Sequence, residues 1–351
     1  MERTYLHLED GTKLEGEAIG FSGETSGEVV FTTAMVGYPQ SLTDPSYNGQ
    51  ILVFTYPLIG NYGVPTPKSF YGDILENFES ERIWVRGVVV AEAADTPSHY
   101  LSETSFSKWL SSQKIAGISG IDTRTLTLKL RNYGTLRGKI SSHSRVRFEN
   151  DSNHFVSEAS IKDVRTYRSK KPRAKRVVLI DCGVKHGILR SLLSYGHTVT
   201  RIAWNADPLS IKNIDGVVCS NGPGDPKACG ETIGNIARVV DAGVPFLGVC
   251  FGHQLLALAL GADTYKLPYG HRGVNQPCQD TRNNKAYITS QNHGYAVDRK
   301  TIPKKLSEWF VNLNDGTNEG LIDEKRHIYT TQFHPEGSPG PFDCEWVFGL
   351  L

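Results

Sequence analysis

The chain has almost no net charge and very little methionine. Its 351 residues include 38 basic and 37 acidic side chains, for a formal net charge of +1, and two methionines. An excess of basic charge is typical of proteins that bind nucleic acid or anionic membrane surfaces, and none is present. We therefore expect neither nucleic acid nor membrane among the partners of this chain.

Cysteine motifs for metal binding are also missing. The six cysteines, at positions 182, 219, 229, 250, 278 and 344, form no CxxC pair and no His/Cys cluster with zinc spacing. This pattern predicts no metal site. A chain of this length can bury a sizeable core without a disulfide framework, so we expect free thiols and a cytoplasmic location.

Targeting, membrane-spanning and nucleotide-binding segments are absent from the sequence as well. The N-terminus, MERTYLHLEDG, lacks the basic start and apolar core of a signal peptide. Apolar runs such as LLALALGA are far shorter than the roughly 20 residues of a membrane span. Because no glycine-rich phosphate loop with a following lysine occurs, we expect no cofactor in this chain and any ATP chemistry in another one.

The first part of the chain is dominated by β patterns. Alternating and β-branched runs extend from Thr4 to about Ile140, with helical periodicity in SFSKWLSSQ and in DTRTLTLKLRNYG. Asp122 is a plausible cap for the second helix and Gly134 a plausible end. We predict a β-rich α+β domain over residues 1–145. The polar stretch 146–175 ends in a basic run, which we interpret as a linker, because no aromatic platform accompanies it for nucleic-acid binding.

The second part alternates short apolar strands with helical segments. RVVLIDCG, HTVTRIAW, DGVVCSNGPGDP and VPFLGVC are separated by patterns such as ILRSLLSYG and IGNIARVVDAG. This order predicts an α/β domain over residues 176–351, with a doubly wound, mainly parallel sheet. Ligands of such sheets bind beyond the carboxyl ends of the strands, which is where Cys250 and the GPGDP loop fall.

Cys250 lies where a predicted strand passes directly into a predicted helix. A thiol at this position faces the unpaired N–H groups and positive dipole end of the helix, which favour thiolate. Gly248 and Gly252 would relieve crowding in so sharp a turn. The pattern predicts a nucleophile elbow, although a cysteine after an apolar strand is, on that fact alone, more often a small core residue.

The segment IYTTQFHPEGSPGP supplies a base and a group to orient it. If His334 ends a strand, Glu336 lies on the same side and can accept from one imidazole nitrogen while the other faces Cys250. We therefore predict the set Cys250, His334 and Glu336. His253 and His293 have no carboxylate two residues along, and we interpret both as packing histidines.

The loop from Asn221 to Pro226, NGPGDP, admits two interpretations. It is a rigid turn by composition. Because it follows a strand predicted to lie beside the Cys250 strand, its backbone could also supply an N–H group to an oxyanion hole.

Two sets of motifs resemble known families. CFGHQ before a helix, with FHPE after a later strand, resembles the class I glutamine amidotransferases, whose cysteine attacks the side-chain amide of glutamine and releases ammonia. The strings GEVVFTTAMVGYPQSLTDPSYNGQ and GISGIDTRTLTLKLRNYG resemble the small-subunit family of carbamoyl-phosphate synthase, and the likeness covers nearly the whole chain. The resemblance implies a glutaminase that hands ammonia to an ATP-dependent large subunit, for arginine or pyrimidine synthesis, with both pathways left open.

The resemblance also implies roles for individual residues. It assigns the oxyanion hole to the amides of Gly222 and Phe251 and the binding of glutamine to Ser46, Gly224, Gln254, Asn292, Gly294 and Tyr295. The sequence departs from the family pattern at Phe251, Cys182 and Gly337, and none of these departures removes a reacting group. Two other hypotheses stay open: a different amidotransferase or hydrolase on the same fold, and a non-enzymatic assembly subunit with a decayed site.

Overall fold

The chain divides into two compact units. The computed structural model describes residues 3–148 and 154–351. One unit lies within Met1–Ser69 and Leu75–Asn153, and the other comprises Phe70–Ile74 and His154–Leu351. The predicted boundaries at 145 and 176 remain a prediction.

The first part of the chain forms a closed barrel. In chain order its elements are β1 (Arg3–Leu8), β2 (Lys13–Gly20), β3 (Thr25–Thr32), α1 (Tyr38–Thr43), β4 (Gln50–Phe54), β5 (Leu58–Ile59), β6 (Ser69–Tyr71), β7 (Ile74–Leu75), β8 (Gly87–Val89), β9 (Glu92–Ala93), α2 (Phe106–Ser112), β10 (Ala116–Ser119), α3 (Thr123–Tyr133) and β11 (Leu136–Ser141). The barrel order is β1-β11-β3-β4-β8-β10-β2, and β5-β9 and β6-β7 form small separate sheets.

Both helices expected in this part are present, with side-chain caps at their starts. The Ser105 side chain accepts from the Lys108 amide at the start of α2, and the Asp122 side chain accepts from the Thr125 amide at the start of α3. These bonds satisfy amides that have no intrahelical acceptor. The α3 helix ends at Gly134, as the sequence predicted.

The second unit contains α4 (Phe155–Ala159), β12 (Arg165–Tyr167), β13 (Arg176–Asp181), α5 (His186–Ser194), β14 (Thr198–Ala203), β15 (Gly216–Cys219), α6 (Gly230–Asp241), β16 (Phe246–Val249), α7 (Phe251–Ala259), β17 (Thr264–Asp280), β18 (Ala286–Val297), β19 (Ser307–Asn312), β20 (Asn318–Asp323) and β21 (Ile328–Thr331). None of the helices in the described ranges is long and apolar enough to cross a membrane. The longest, α6, has 12 residues.

One ten-stranded sheet organises the second unit. Its order is β12-β14-β13-β15-β16-β21-β20-β19-β17-β18. The pairings from β14 to β21 are parallel, whereas β12 and the strands from β20 to β18 pair antiparallel. Alternate strand residues face two cores: Val177 and Leu179 pack with α5, and Val178 and Ile180 pack with α6 and α7. Helices on both faces of a parallel core confirm the predicted α/β fold class.

The segment interpreted as a linker, 146–175, contains regular structure. Residues Phe155–Ala159 form α4, and Arg165–Tyr167 form β12, which pairs with β14 at the edge of the large sheet. An edge strand needs a partner on one side only, so it can carry the polar composition that suggested a linker. Residues 149–153 of this segment lie outside the described residues.

Candidate active site

Cys250 occupies a sharp turn between β16 and α7. Its backbone has φ 53° and ψ −96°, a conformation that residues with a side chain rarely adopt. The glycines around it are required by close packing. A Cβ on Gly248 would lie 2.7 Å from the Gly252 carbonyl, and a Cβ on Gly252 would lie 2.2 Å from the Cys219 carbonyl. The surrounding fold thus holds the strained residue in place, as expected at a functional position.

His334 follows the strand beside the one that ends at Cys250. β16 and β21 are parallel neighbours, and the Cys250 amide continues the ladder by donating to the Thr331 carbonyl at 2.7 Å. On its other side the His334 amide donates to the Ser290 carbonyl of β18 at 2.8 Å. Two strands therefore fix the backbone of His334 at the carboxyl edge of the sheet.

The His334 ring lies between a carboxylate and the thiol. Its Nδ1 is 2.6 Å from Oε1 of Glu336, and both side chains are buried. Its Nε2 is buried and makes no hydrogen bond to a nitrogen or oxygen atom of residues 3–148 or 154–351. The Cys250 side chain lies next to the ring and contributes to the proton affinity of the imidazole. The structure thus brings the three predicted residues together in the predicted order.

A buried lysine, which sequence reasoning missed, joins this group. Lys185 follows β13 and precedes α5, and its Nζ lies 2.9 Å from Oε1 of Glu336 and 2.8 Å from the Gly337 carbonyl. The two side chains of this ion pair are 3% and 0% exposed. The only sequence signal was a lysine in the turn DCGVK that follows an apolar strand of the predicted parallel sheet.

The buried charges shift one another's pKa values. Burial by itself would lower the pKa of His334, but attraction to Glu336 and Cys250 outweighs burial and raises this pKa. Burial would raise the pKa of Glu336, yet Lys185 and His334 hold it well below its usual range. Lys185 also opposes protonation of His334. The carboxylate is therefore ionised whichever proton state the imidazole takes.

Comparison with known proteins identifies the family. Residues 6–140 match the carbamoyl-phosphate synthase small chain, CPSase domain, and residues 178–351 match glutamine amidotransferase class-I. The carbamoyl phosphate synthase arginine-specific small chain of Chaetomium globosum is 47% identical over 98% of this chain and 76% of its own length. The carbamoyl phosphate synthase small chain of Metallosphaera sedula is 45% identical over 98% of this chain and 94% of its own length.

The chain belongs to the carbamoyl-phosphate synthase small-chain family. This confirms the resemblance read from the sequence, and with it the role of a glutaminase subunit in glutamine-dependent carbamoyl phosphate synthesis. Membership in a small-chain family also implies a large-subunit partner and glutamine as substrate.

The two amides expected at the oxyanion hole lie at different elements. Phe251 is the first residue of α7, so its amide has no intrahelical acceptor. Gly222 follows β15, and a Cβ there would lie 2.5 Å from the Cys182 carbonyl, so only glycine fits. Gly224, with φ 87°, turns the same loop. Asn221 accepts at Oδ1 from the Lys185 amide at 3.0 Å, which ties this loop to the residue that pairs with Glu336.

Four of the residues expected to bind glutamine lie on α7 and β18, beside the thiol. Gln254 donates from Nε2 to the Tyr295 carbonyl at 2.9 Å, and the Asn292 carbonyl is 3.7 Å from the Cys250 sulfur. Gly294 lies between Asn292 and Tyr295 on β18. These contacts place the α7 and β18 residues around the nucleophile.

Gln332 is a second residue that sequence reasoning missed. Its side chain is fully buried, and its Nε2 lies 3.6 Å from the Cys250 sulfur while its Oε1 accepts from Gln254 at 3.0 Å. It directly precedes FHPE at the end of β21, so its place in the motif was the available signal. The side-chain amide links the nucleophile to a proposed substrate-binding residue.

Ser46 lies in the first unit. It is buried within a single 3₁₀ turn, Pro45–Tyr47, and its amide donates to Oδ1 of Asp44 at 2.9 Å. The DPSY string therefore forms a tight turn capped by the side chain of Asp44. A role of Ser46 toward glutamine remains a proposal.

The two other histidines have partners away from the thiol. Nδ1 of His253 lies 2.9 Å from Thr330 Oγ1, and burial lowers the pKa of His253 to about 3. Nδ1 of His293 donates to the Tyr295 carbonyl at 2.8 Å. Burial also lowers the pKa of His293, so both rings are neutral. Both rings are therefore held by hydrogen bonds to groups other than the Cys250 thiol.

Proposed function

We propose that this chain hydrolyses glutamine through a thioester on Cys250 and delivers the ammonia to the large subunit of carbamoyl-phosphate synthase. The observation that carries the proposal is the strained Cys250 beside the His334–Glu336 pair, at the carboxyl edge of parallel strands. A decayed assembly subunit would have no reason to keep a nucleophile in a costly backbone conformation.

The first step forms a carbon–sulfur bond. Cys250 gives its proton to His334 Nε2 and attacks the side-chain carbonyl carbon of glutamine. His334 then returns the proton to the departing nitrogen, which leaves as ammonia. Water attacks the resulting thioester with His334 as base, releasing glutamate and restoring the thiol. Glu336 keeps Nδ1 protonated and Nε2 turned to the sulfur.

The tetrahedral intermediates place negative charge on the former carbonyl oxygen. In the proposal the amides of Phe251 and Gly222 donate to this oxygen, and losing one such donor costs on the order of 10²–10³ in rate. The amino-acid end of glutamine is bound by Ser46, Gly224, Gln254, Asn292, Gly294 and Tyr295. Gln332 donates to the sulfur and stabilises it as thiolate.

Alanine at Cys250 tests the nucleophile. In the complex with the large subunit, Cys250→Ala should abolish carbamoyl phosphate synthesis from glutamine and leave synthesis from added ammonia intact, since only the thioester step needs the thiol. Cys344→Ala, a change at another buried cysteine of the same unit, should leave both activities in place. Substantial glutaminase activity in Cys250→Ala would exclude the nucleophile assignment.

Glutamine hydrolysis in this chain is coupled to binding of the large subunit. Ammonia released into water at neutral pH is mostly protonated and lost as a nucleophile, so slow hydrolysis by the isolated chain is advantageous. We expect weak glutaminase activity alone and activation when the large subunit binds, through the elbow or the GPGDP loop. Steady-state glutaminase activity with and without the partner and ATP measures this, and equal turnover throughout would defeat the coupling while leaving the triad chemistry intact.

A further inference from the structure

Three buried side chains converge beside the proposed glutamine site. We propose that His271, His293 and Glu319 bind one zinc-class divalent cation. One nitrogen from each ring and one carboxylate oxygen lie within 4.8 Å of one another. Two histidines and a glutamate are a donor set that zinc uses in proteins, with a fourth position left for water.

Three strands of the antiparallel extension bring the ligands together. His271 on β17 and His293 on β18 are direct cross-strand partners, with ring centroids 4.9 Å apart. Glu319 lies on β20. Its Oε1 is 3.3 Å from Nδ1 of His271 and 3.9 Å from Nε2 of His293. Small side-chain movements would bring these atoms around one ion.

The outer nitrogen of each ring is already held as metal-bound histidines usually are. Nε2 of His271 lies 2.9 Å from a carboxylate oxygen of Asp315, and Nδ1 of His293 donates to the Tyr295 carbonyl at 2.8 Å. Such partners fix the tautomer and the ring orientation. The inner nitrogens, Nδ1 of His271 and Nε2 of His293, lie 3.0 Å and 3.2 Å from Oε1 of Gln291, a contact that they exchange for the ion when it binds. In both rings the inner nitrogen is the one nearer Glu319.

Glu319 supplies an independent observation. Its side chain is fully buried, and Oε1 accepts from Asn312 at 3.2 Å and Thr317 at 3.3 Å. Its Oε2 is buried and has no hydrogen-bond partner within the described part of the chain. An unpartnered carboxylate oxygen in a buried site is costly, and a cation bound by Oε2 as well as Oε1 removes that cost. The Asp315 side chain is 41% exposed and marks the side from which an ion can enter.

The site escapes sequence reasoning because its ligands lie far apart in the chain. The expectation of no metal rested on the lack of local Cys and His spacing, and these three residues come from separate strands. The site is also connected to the proposed glutamine-binding residues. The Tyr295 carbonyl accepts from His293 and from Gln254. If the proposed function holds, zinc occupancy therefore changes the KM for glutamine.

Zinc binding itself tests the site. Equilibrium dialysis with ZnCl₂, followed by metal analysis, is carried out on the Cys250→Ser chain so that the nucleophile offers no competing thiolate. We expect one zinc per chain and no comparable binding of Mg²⁺, which prefers oxygen ligands. Glu319→Gln and His271→Asn should lose this zinc. Asp315→Asn should weaken it about 10- to 100-fold, as loss of a ligand's supporting carboxylate does.

Control experiments distinguish this site from nonspecific zinc binding. His327→Asn, at a histidine on the turn before β21, should retain full zinc binding. Cobalt in place of zinc should give the visible absorption of a tetrahedral site without sulfur-to-metal charge transfer. If Glu319→Gln or His271→Asn does not fold, zinc binding by Asp315→Asn decides the question, because the Asp315 side chain is half-exposed. Unchanged zinc affinity in Asp315→Asn, or no zinc bound to the parent chain, would overturn the proposal. Neither measurement needs glutamine turnover, so failure here leaves the proposed function untouched.

Discussion

Lys185→Met should destabilise the second unit strongly. The substitution keeps most of the side-chain length but removes the ammonium that lies 2.9 Å from Glu336 Oε1 and 2.8 Å from the Gly337 carbonyl. Both charged side chains are almost fully buried, so water cannot replace the lost partner. Removing one member of such a pair costs about 3–5 kcal/mol. For a unit of this size that corresponds to a fall in melting temperature of roughly 6–20 °C.

Two further variants make the test specific. Lys227→Met removes an exposed pair with Asp263 on the same unit, and its melting temperature should stay close to that of the parent chain. Lys185→Met combined with Glu336→Gln should be more stable than Lys185→Met alone, because no uncompensated carboxylate remains. Differential scanning calorimetry measures all three. If Lys185→Met has the same melting temperature as Lys227→Met, the reasoning from burial is wrong.

Further tests address the chemistry. Lys185→Met should also move the acidic limb of the glutaminase pH profile to higher pH, since Lys185 lowers the pKa of His334 and its loss raises that pKa; an unmoved limb would contradict this. Gln332→Leu should slow iodoacetamide alkylation of Cys250 roughly 10- to 100-fold, as loss of a hydrogen bond to a charged group does, whereas Gln279→Leu, at a half-buried residue of β17 whose side chain donates to the Asn284 carbonyl, should not. Ser46→Ala should raise the KM for glutamine roughly 2- to 13-fold with ammonia-dependent synthesis unchanged; an unaltered KM would exclude Ser46 from the substrate.

Local sequence signals predicted the parts of the site that are local in the chain. Cys250 was recognisable because an apolar strand passes into a helix without a loop, which forces a sharp turn whatever the rest of the fold does. His334 and Glu336 were recognisable because two residues of spacing keep their side chains together. The cap of α3 followed from a single residue, Asp122.

Contacts between distant strands could not be predicted in the same way. Lys185 meets Glu336 only because β13 and β21 end at one edge of the sheet, with β15 and β16 between them. The strands from β17 to β20 pair antiparallel with two register shifts in β17–β18, and such irregular pairing leaves no clean period of two in the sequence. The polar residues on those strands were therefore assigned by resemblance or not at all.

The order of charges in the site explains why Lys185 matters for a histidine that it does not touch. Glu336 alone, buried beside His334, would hold the imidazole in its protonated form, because a buried carboxylate needs a positive partner. A permanently protonated imidazole cannot accept a proton from Cys250. Lys185 already neutralises the carboxylate, so His334 can take the proton of the thiol and pass it to departing ammonia without leaving a net buried charge. After transfer from Cys250, the signs along Lys185, Glu336, His334 and Cys250 alternate, so the buried pair favours the state in which an imidazolium faces the reactive thiolate.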